Sequence, residues 1–248
     1  MKKKLLVASL LAFAGTGVMA QSAFEGFYGQ LGSGYEGNSF SSTNTNGRIG
    51  GGANEPWSSG DKNANGLPLV VGLGFNAAVS KSWLLGLGVD YSILKTKTSD
   101  YPITGVNGDN VGVTVNGFSL ETSNRLNIFL SPGYVIDKDK LAYFKAGYSS
   151  VQVKQTIGNS VTNNGGAPAA VGWSGNPSST VGGYILGLGY KQMISKGLYG
   201  FVEGNYMSYG SANLSATGTT ADRNLGYTLS SSPKLTTMQL LAGVGYKF

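Results

Sequence analysis

The chain has 248 residues, 12% of them charged, a formal net charge of +6, 40 glycines, 14 tyrosines, no histidine and no cysteine. Without imidazole or thiol, the usual nucleophile–base catalysis, disulfides and common transition-metal sites are excluded. Lys2, Lys3 and Lys4 supply half of the positive excess, so the rest of the chain is too weakly basic for a nucleic-acid-binding surface.

The first element is a leader. Lys2, Lys3 and Lys4 precede a short apolar run, Leu5 to Ala14, and Val18-Met19-Ala20 presents small residues for a signal peptidase. The run is shorter than the roughly 20 residues a spanning helix needs. Cleavage is expected between Ala20 and Gln21, with residues 1–20 removed and residues 21–248 forming one domain. No cysteine follows the run to take a lipid anchor.

Eight segments then alternate with period two, so their side chains fall on two opposite faces. The apolar face carries Phe27, Leu31 and Tyr35 in the first segment, then Leu69, Val71, Leu73, Phe75 and Val79. Trp83, Leu85, Leu87, Val89, Tyr91 and Ile93 form the third set, and Leu126, Ile128, Leu130 and Tyr134 the fourth. Phe144, Ala146 and Tyr148 follow, then Tyr184, Leu186, Leu188 and Tyr190, then Val202 and Tyr206. The last set is Met238, Leu240, Ala242, Val244, Tyr246 and Phe248. The opposite face holds glycine, Gln30, Glu36, Asn76, Asn127, Ser131 and Asn205, together with Asp90, Arg125, Lys145, Lys191 and Glu203.

The connections alternate in length. Short turns at Ser80-Lys81-Ser82, Asp137-Lys138-Asp139-Lys140 and Ser195-Lys196-Gly197 are separated by long polar stretches near 38–67, 97–124, 155–179 and 211–233. Short turns on one side and long loops on the other, with a uniformly large apolar face and a small, charged opposite face, predict an all-β, eight-stranded antiparallel transmembrane β-barrel. The short turns are then periplasmic and the four long loops extracellular. Repeats such as Gly72-Leu73-Gly74-Phe75, Gly86-Leu87-Gly88-Val89, Gly187-Leu188-Gly189-Tyr190 and Gly243-Val244-Gly245-Tyr246 put glycine on the inner face, where an eight-stranded interior is just wide enough for side chains.

The final strand reads Leu240-Leu241-Ala242-Gly243-Val244-Gly245-Tyr246-Lys247-Phe248. Apolar residues at every second position up to Phe248 resemble the C-terminal signal read by the barrel-assembly machinery, with Val244, Tyr246 and Phe248 as its residues. With Leu130-Ser131-Pro132-Gly133-Tyr134-Val135 and Leu141-Ala142-Tyr143-Phe144-Lys145-Ala146-Gly147-Tyr148, the chain is similar to small outer-membrane β-barrel ("porin family") proteins. These are the class of the OmpA transmembrane domain, OmpX and the opacity-type surface proteins. The resemblance implies the bacterial outer membrane, its lipids as surroundings, and the assembly machinery and periplasmic chaperones as partners during biogenesis. No separate peptidoglycan-binding domain is expected.

Enzymes of that architecture use a catalytic histidine, which this chain lacks, so no catalytic residue, metal site or cofactor is expected. Asp90, Arg125, Lys145, Lys191 and Glu203 are expected to form a salt-bridged plug centred on Glu203, with some of Arg125, Lys145 and Lys191 as its partners, because a buried charge must be paired. Asn107-Gly108-Asp109-Asn110 reads as a turn, lacking the remaining ligands of a calcium loop. Trp57 and Trp173 stand in polar loops, where they bury against the barrel rim or anchor a partner. The expected function is a structural, surface-interacting monomer with its loops open to a host or environmental ligand. The alternative is a narrow pore or minor transporter for small solutes or hydrophobic molecules.

Overall fold

Strictly alternating segments have a large apolar face that a single sheet in water could not cover, and closing the sheet on itself removes every hydrogen-bonding edge. A computed structural model describes residues 22–41, 43–49, 53–106, 111–158, 160–163, 169–220 and 226–248. The leader, its cleavage position at Ala20 and Gln21, and the Asn107–Asn110 run lie outside the described residues.

In chain order the strands are β1 (Gly26–Ser41), β2 (Thr45–Ile49), β3 (Glu55–Trp57), β4 (Lys62–Gly66), β5 (Leu69–Ala78) and β6 (Trp83–Ser92). They continue with β7 (Thr96–Lys97), β8 (Tyr101–Val106), β9 (Gly112–Asp137), β10 (Lys140–Thr156), β11 (Ser160–Asn163) and β12 (Ala169–Trp173). The last five are β13 (Ser178–Met193), β14 (Leu198–Ser211), β15 (Leu214–Thr220), β16 (Gly226–Ser231) and β17 (Lys234–Lys247).

Eight of these close into an antiparallel ring, β1-β5-β6-β9-β10-β13-β14-β17 and back to β1. Its outer face is apolar: Phe27, Leu73, Leu87, Ile128, Leu188 and Leu240 are all exposed, while Lys145, Asp90 and Glu203 are buried inside. Aromatic residues ring both edges. Trp83–Tyr134, Phe27–Phe75 and Tyr246–Phe248 pack at the short-turn end, and Tyr184–Tyr206 at the other, beside exposed Tyr35, Tyr91 and Tyr148. The rise along β6 from Trp83 to Tyr91, on a strand tilted by roughly 40°, spans about 20 Å vertically, close to the apolar band of an outer-membrane barrel. The ring has the outer face and the height of a barrel that crosses a lipid bilayer.

The four long stretches connect the ring at one end, and they are largely strands rather than open loops. Above the membrane ring, β9, β11, β12, β15, β16, β2, β3 and β8 pair in that order. Reciprocal backbone bonds between Ser58 and Thr104 join the end of β3 to β8 and close this second ring. Its interior is apolar, filled by Phe40, Trp57, Ile103, Val115, Phe118, Leu120, Val153, Leu214 and Leu229. The protein is thus a two-tier barrel, polar inside where lipid surrounds it and apolar inside where water does.

The tiers join through changes of strand phase. Along β9 the inward residues are Arg125, Asn127 and Phe129, then Thr122 and Leu120, then Val115 and Val113. The first change falls at Asn124, which has a left-handed backbone (φ 52°) opposite a register shift in β10, and the second at Gly117 (φ 86°). An extra residue reverses which face each later side chain meets. Asn124 is tied down by Tyr91 Oη, which donates to its Oδ1 (2.9 Å), and by its own amide donating to Gln152 (3.0 Å).

Tyr101 packs inside the upper tier against Phe118, and burial pushes its phenol up to about 12. Its neutral form is therefore favoured in the fold. The unfolded chain loses this proton near pH 10, so the contribution of Tyr101 is complete below pH 10 and disappears as pH rises to about 12. Alkaline titration of upper-tier stability should show this loss, and Tyr101→Phe should abolish it.

Candidate functional site: the lumen

The inward charges form two layers. In the lower, Lys145 from β10 is fully buried between Asp90 of β6 and Glu203 of β14. Its Nζ donates to Glu203 Oε1 at 2.9 Å and to Asp90 Oδ2. Glu203 also accepts from Tyr143 Oη (2.6 Å) and from the Asn205 amide (2.7 Å), so its lone pairs are well used. The Lys145 ammonium lies 4.0 Å from the centre of the Phe129 ring. Beneath it, Lys191 from β13 is caged by aromatic faces, 4.0 Å from Tyr28, 4.9 Å from Tyr199 and 5.2 Å from Tyr143, a cation–π arrangement strengthened by desolvation.

In the upper layer Arg125 of β9 reaches across the lumen to Glu36 of β1. Its Nη2 donates to Asn38 Oδ1 (2.9 Å) and Thr237 Oγ1 (3.2 Å), and its Nε to Tyr209 Oη (3.0 Å). Gln239 donates to Glu36 Oε2 at 2.9 Å. Tyr209, Ser149 and Asn127 extend the chain of bonds towards β9. Both layers are charge-balanced, with two cations facing two carboxylates below and one facing one above.

Glu203 does pair with Lys145, one of its three candidate partners, but the charges form two clusters and not one plug. Asp90, Lys145 and Glu203 come together with Lys145, not Glu203, at the centre. Lys191 lies beside them and makes no ion pair within 4 Å among the described residues, and Arg125 is bound to Glu36 instead of Glu203. Glu36 was legible as an inward residue, but alternation gives the face of a side chain and not its height. Strand tilt and stagger decide height, and they bring the extracellular half of β9 level with Glu36.

The glycine repeats make room for this filling. A Cβ at Gly189 would fall 2.2 Å from Tyr143 Cζ, one at Gly245 2.3 Å from Tyr199 Cζ, and one at Gly74 2.5 Å from Tyr28 Cζ. Each inward tyrosine occupies the space a Cβ would take at a glycine of a neighbouring strand. Gly189→Val should displace Tyr143 from Glu203 and destabilise the barrel by about 1–3 kcal/mol, measured by urea unfolding from lipid vesicles.

Both ends of the lumen are closed by apolar groups. At the short-turn end Phe24 folds inward, its ring edge-on to Tyr199 at 6.3 Å, and its carbonyl accepts from Asn76 Nδ2 (2.9 Å). At the other end the apolar core of the upper tier begins directly above the Arg125 layer with Ile185, Met207 and Val151. Between them, a cavity bordered by Tyr28, Ser131, Lys191 and Glu203 encloses about 10 Å³, room for about one water. Among the described residues no group of three acidic side chains is arranged to hold a metal.

The other candidates lie outside the lumen. Val244, Tyr246 and Phe248 are exposed on the lipid face of β17. Trp57 is buried inside the upper tier, its Nε1 donating to Val106 O at 3.2 Å. Trp173 packs partly buried against the same core and donates to Gly158 O at 2.8 Å.

No protein-family profile matches the chain, and no curated protein matches it. Solved structures are similar in fold. Neisserial surface protein A (NspA) shares 15% identity with a TM-score of 0.46, covering 90% of this chain and 98% of its own. Ail, the attachment invasion locus protein of Yersinia pestis, shares 12% with a TM-score of 0.39, covering 90% and 99%. The outer membrane protease OmpT from Escherichia coli shares 10% with a TM-score of 0.44, covering 93% and 99%.

Proposed function

We propose that this protein is a non-enzymatic, non-conducting surface barrel that holds a rigid β-tier above the outer membrane for contact with a host or environmental ligand. The observation that carries this reading is the filled interior: two charge-balanced layers in the membrane, capped by Phe24 below and a dry apolar core above. Moving a solute through would require separating buried ion pairs, at several kcal/mol per charge. The upper tier is closed, so it has no free strand edge to aggregate through, and a monomer satisfies it. Biogenesis in this reading uses cleavage between Ala20 and Gln21, periplasmic chaperones, and recognition of Val244, Tyr246 and Phe248 by the assembly machinery.

Planar-bilayer recording on refolded protein tests it. Wild type should give no conductance steps, and liposomes carrying it should not swell in small sugars. Steady channels, or size-dependent sugar uptake, would instead establish the narrow pore. Steps that appear only in Glu36→Ala or Lys145→Met would identify the charge layers as the barrier.

A further inference from the structure

The segment that closes the short-turn mouth is held more weakly than the wall around it. Residues 22–25 precede β1 and belong to no ladder. A local turn aims Phe24 inward, with Glu25 N donating to Ser22 O (3.0 Å) and Phe24 N to Ser22 Oγ (3.3 Å). Among the described residues, the bond from Asn76 to the Phe24 carbonyl is the one hydrogen bond that ties this segment to the wall. Gly26 joins it to β1 at a positive φ of 114°, which glycine adopts without strain, so the turn can pivot there. β1 itself is laddered on both sides, to β5 from Gly26 and to β17 from Tyr28. The Phe24 ring is 2% exposed and belongs to one apolar cluster with Tyr28, Leu84, Leu141 and Tyr199. Tyr28 and Tyr199 are also two of the faces around Lys191, so the closure and the aromatic cage share their side chains. On the β10–β13 ladder Lys191 pairs with Leu141 and Lys145 with Gly187. Lys191 is therefore the nearer of the two to the short turn, and Lys145 lies deeper.

We infer that residues 22–25 are a removable stopper: Phe24 leaves the mouth and returns while the barrel stays folded, opening an antechamber that ends at Lys191. Local openings are drawn from the segments with the fewest tertiary contacts. Swinging Phe24 out gives up the contacts of one ring and one hydrogen bond. Exposing Lys145 would require breaking its bonds to both Asp90 and Glu203. The Arg125 layer and the apolar core above it stay shut, so the antechamber admits small molecules from the short-turn side and passes none. The inference goes beyond the proposed surface role, which needs only that the upper barriers hold.

The test is acetylation of the barrel in lipid nanodiscs by acetic anhydride, followed by peptide mass spectrometry. Each lysine's rate is divided by its rate in the urea-unfolded chain. In wild type Lys191 should react about tenfold or more faster than Lys145, because unfolding of the whole barrel would expose both equally. Phe24→Ala should speed Lys191 about tenfold further and leave Lys145 unchanged. Equal protection of Lys191 and Lys145 in wild type, or no gain at Lys191 in a folded Phe24→Ala barrel, would overturn the stopper. Circular dichroism reports whether the variant folds, and if it does not, the wild-type ratio alone decides. Planar-bilayer recording of Phe24→Ala should still show no steps. Steps there would still place a stopper at the mouth, and would reject the closed upper barriers on which the proposed role rests.

Discussion

Lys145→Met should lower the stability of the barrel by about 3–5 kcal/mol, the cost of removing one partner from a buried ion pair. The substitution keeps the volume of the side chain and its contact with Phe129, so the loss reports charge and not packing. It strands two carboxylates at once. Glu203 keeps its bonds from Tyr143 and Asn205, while Asp90 loses the only side-chain partner it has among the described residues. Urea unfolding from lipid vesicles, followed by tryptophan fluorescence, measures the loss. The companion variant Asp90→Asn/Lys145→Met/Glu203→Gln removes all three charges together and should recover more than half of it, because neutral groups cost far less to bury. A Lys145→Met barrel within about 1 kcal/mol of wild type would mean that water reaches these groups and that they are not a buried cluster at all.

Trp57→Ala should cost a similar amount, about 3–5 kcal/mol, but confined to the upper tier. The indole is 2% exposed and fills the space between two glycines: a Cβ at Gly105 would lie 2.0 Å from its Cδ1, and one at Gly47 2.5 Å from its Cε2. It stands where β3 meets β8, joined among the described residues by the Ser58–Thr104 backbone bonds and by the indole's own bond to Val106 O, the narrowest backbone seam of the second ring. Removing it should open that seam. Hydrogen exchange should accelerate in β2, β3 and β8 while β5, β6 and β17 in the membrane stay protected. Uniform acceleration through both tiers would show that the two rings unfold as one unit, and unchanged exchange in β2 and β3 would show that the seam does not depend on the indole.

The membrane ring was readable because lipid imposes one rule along every strand. Leu85, Leu87 and Val89 must point out, Gly86, Gly88 and Asp90 must point in, and no tertiary contact can override that without placing a charge in hydrocarbon. The eight strands, their inward charges and the short turns follow from this alternation.

The upper tier was not readable in the same way. The residues of 97–124 look like a polar loop because their alternation breaks twice, at Asn124 and Gly117, and a period-two pattern with two phase reversals resembles no pattern at all. What keeps β9 continuous across those breaks is pairing with β10, β11, β7 and β8, where Ser123 meets Gln152 and Asn116 meets Ser160, contacts that alternation along one segment does not register. The aromatic–glycine contacts and the partner of Arg125 share that origin. The sequence by itself determined which face each side chain of the membrane ring would take, because hydrocarbon on one side and a narrow lumen on the other leave a strand no choice. Only the tertiary structure decided the height of each inward side chain, through tilt and stagger, and so gave Arg125 to Glu36, Lys145 to both Asp90 and Glu203, and Trp57 to the seam of a second barrel.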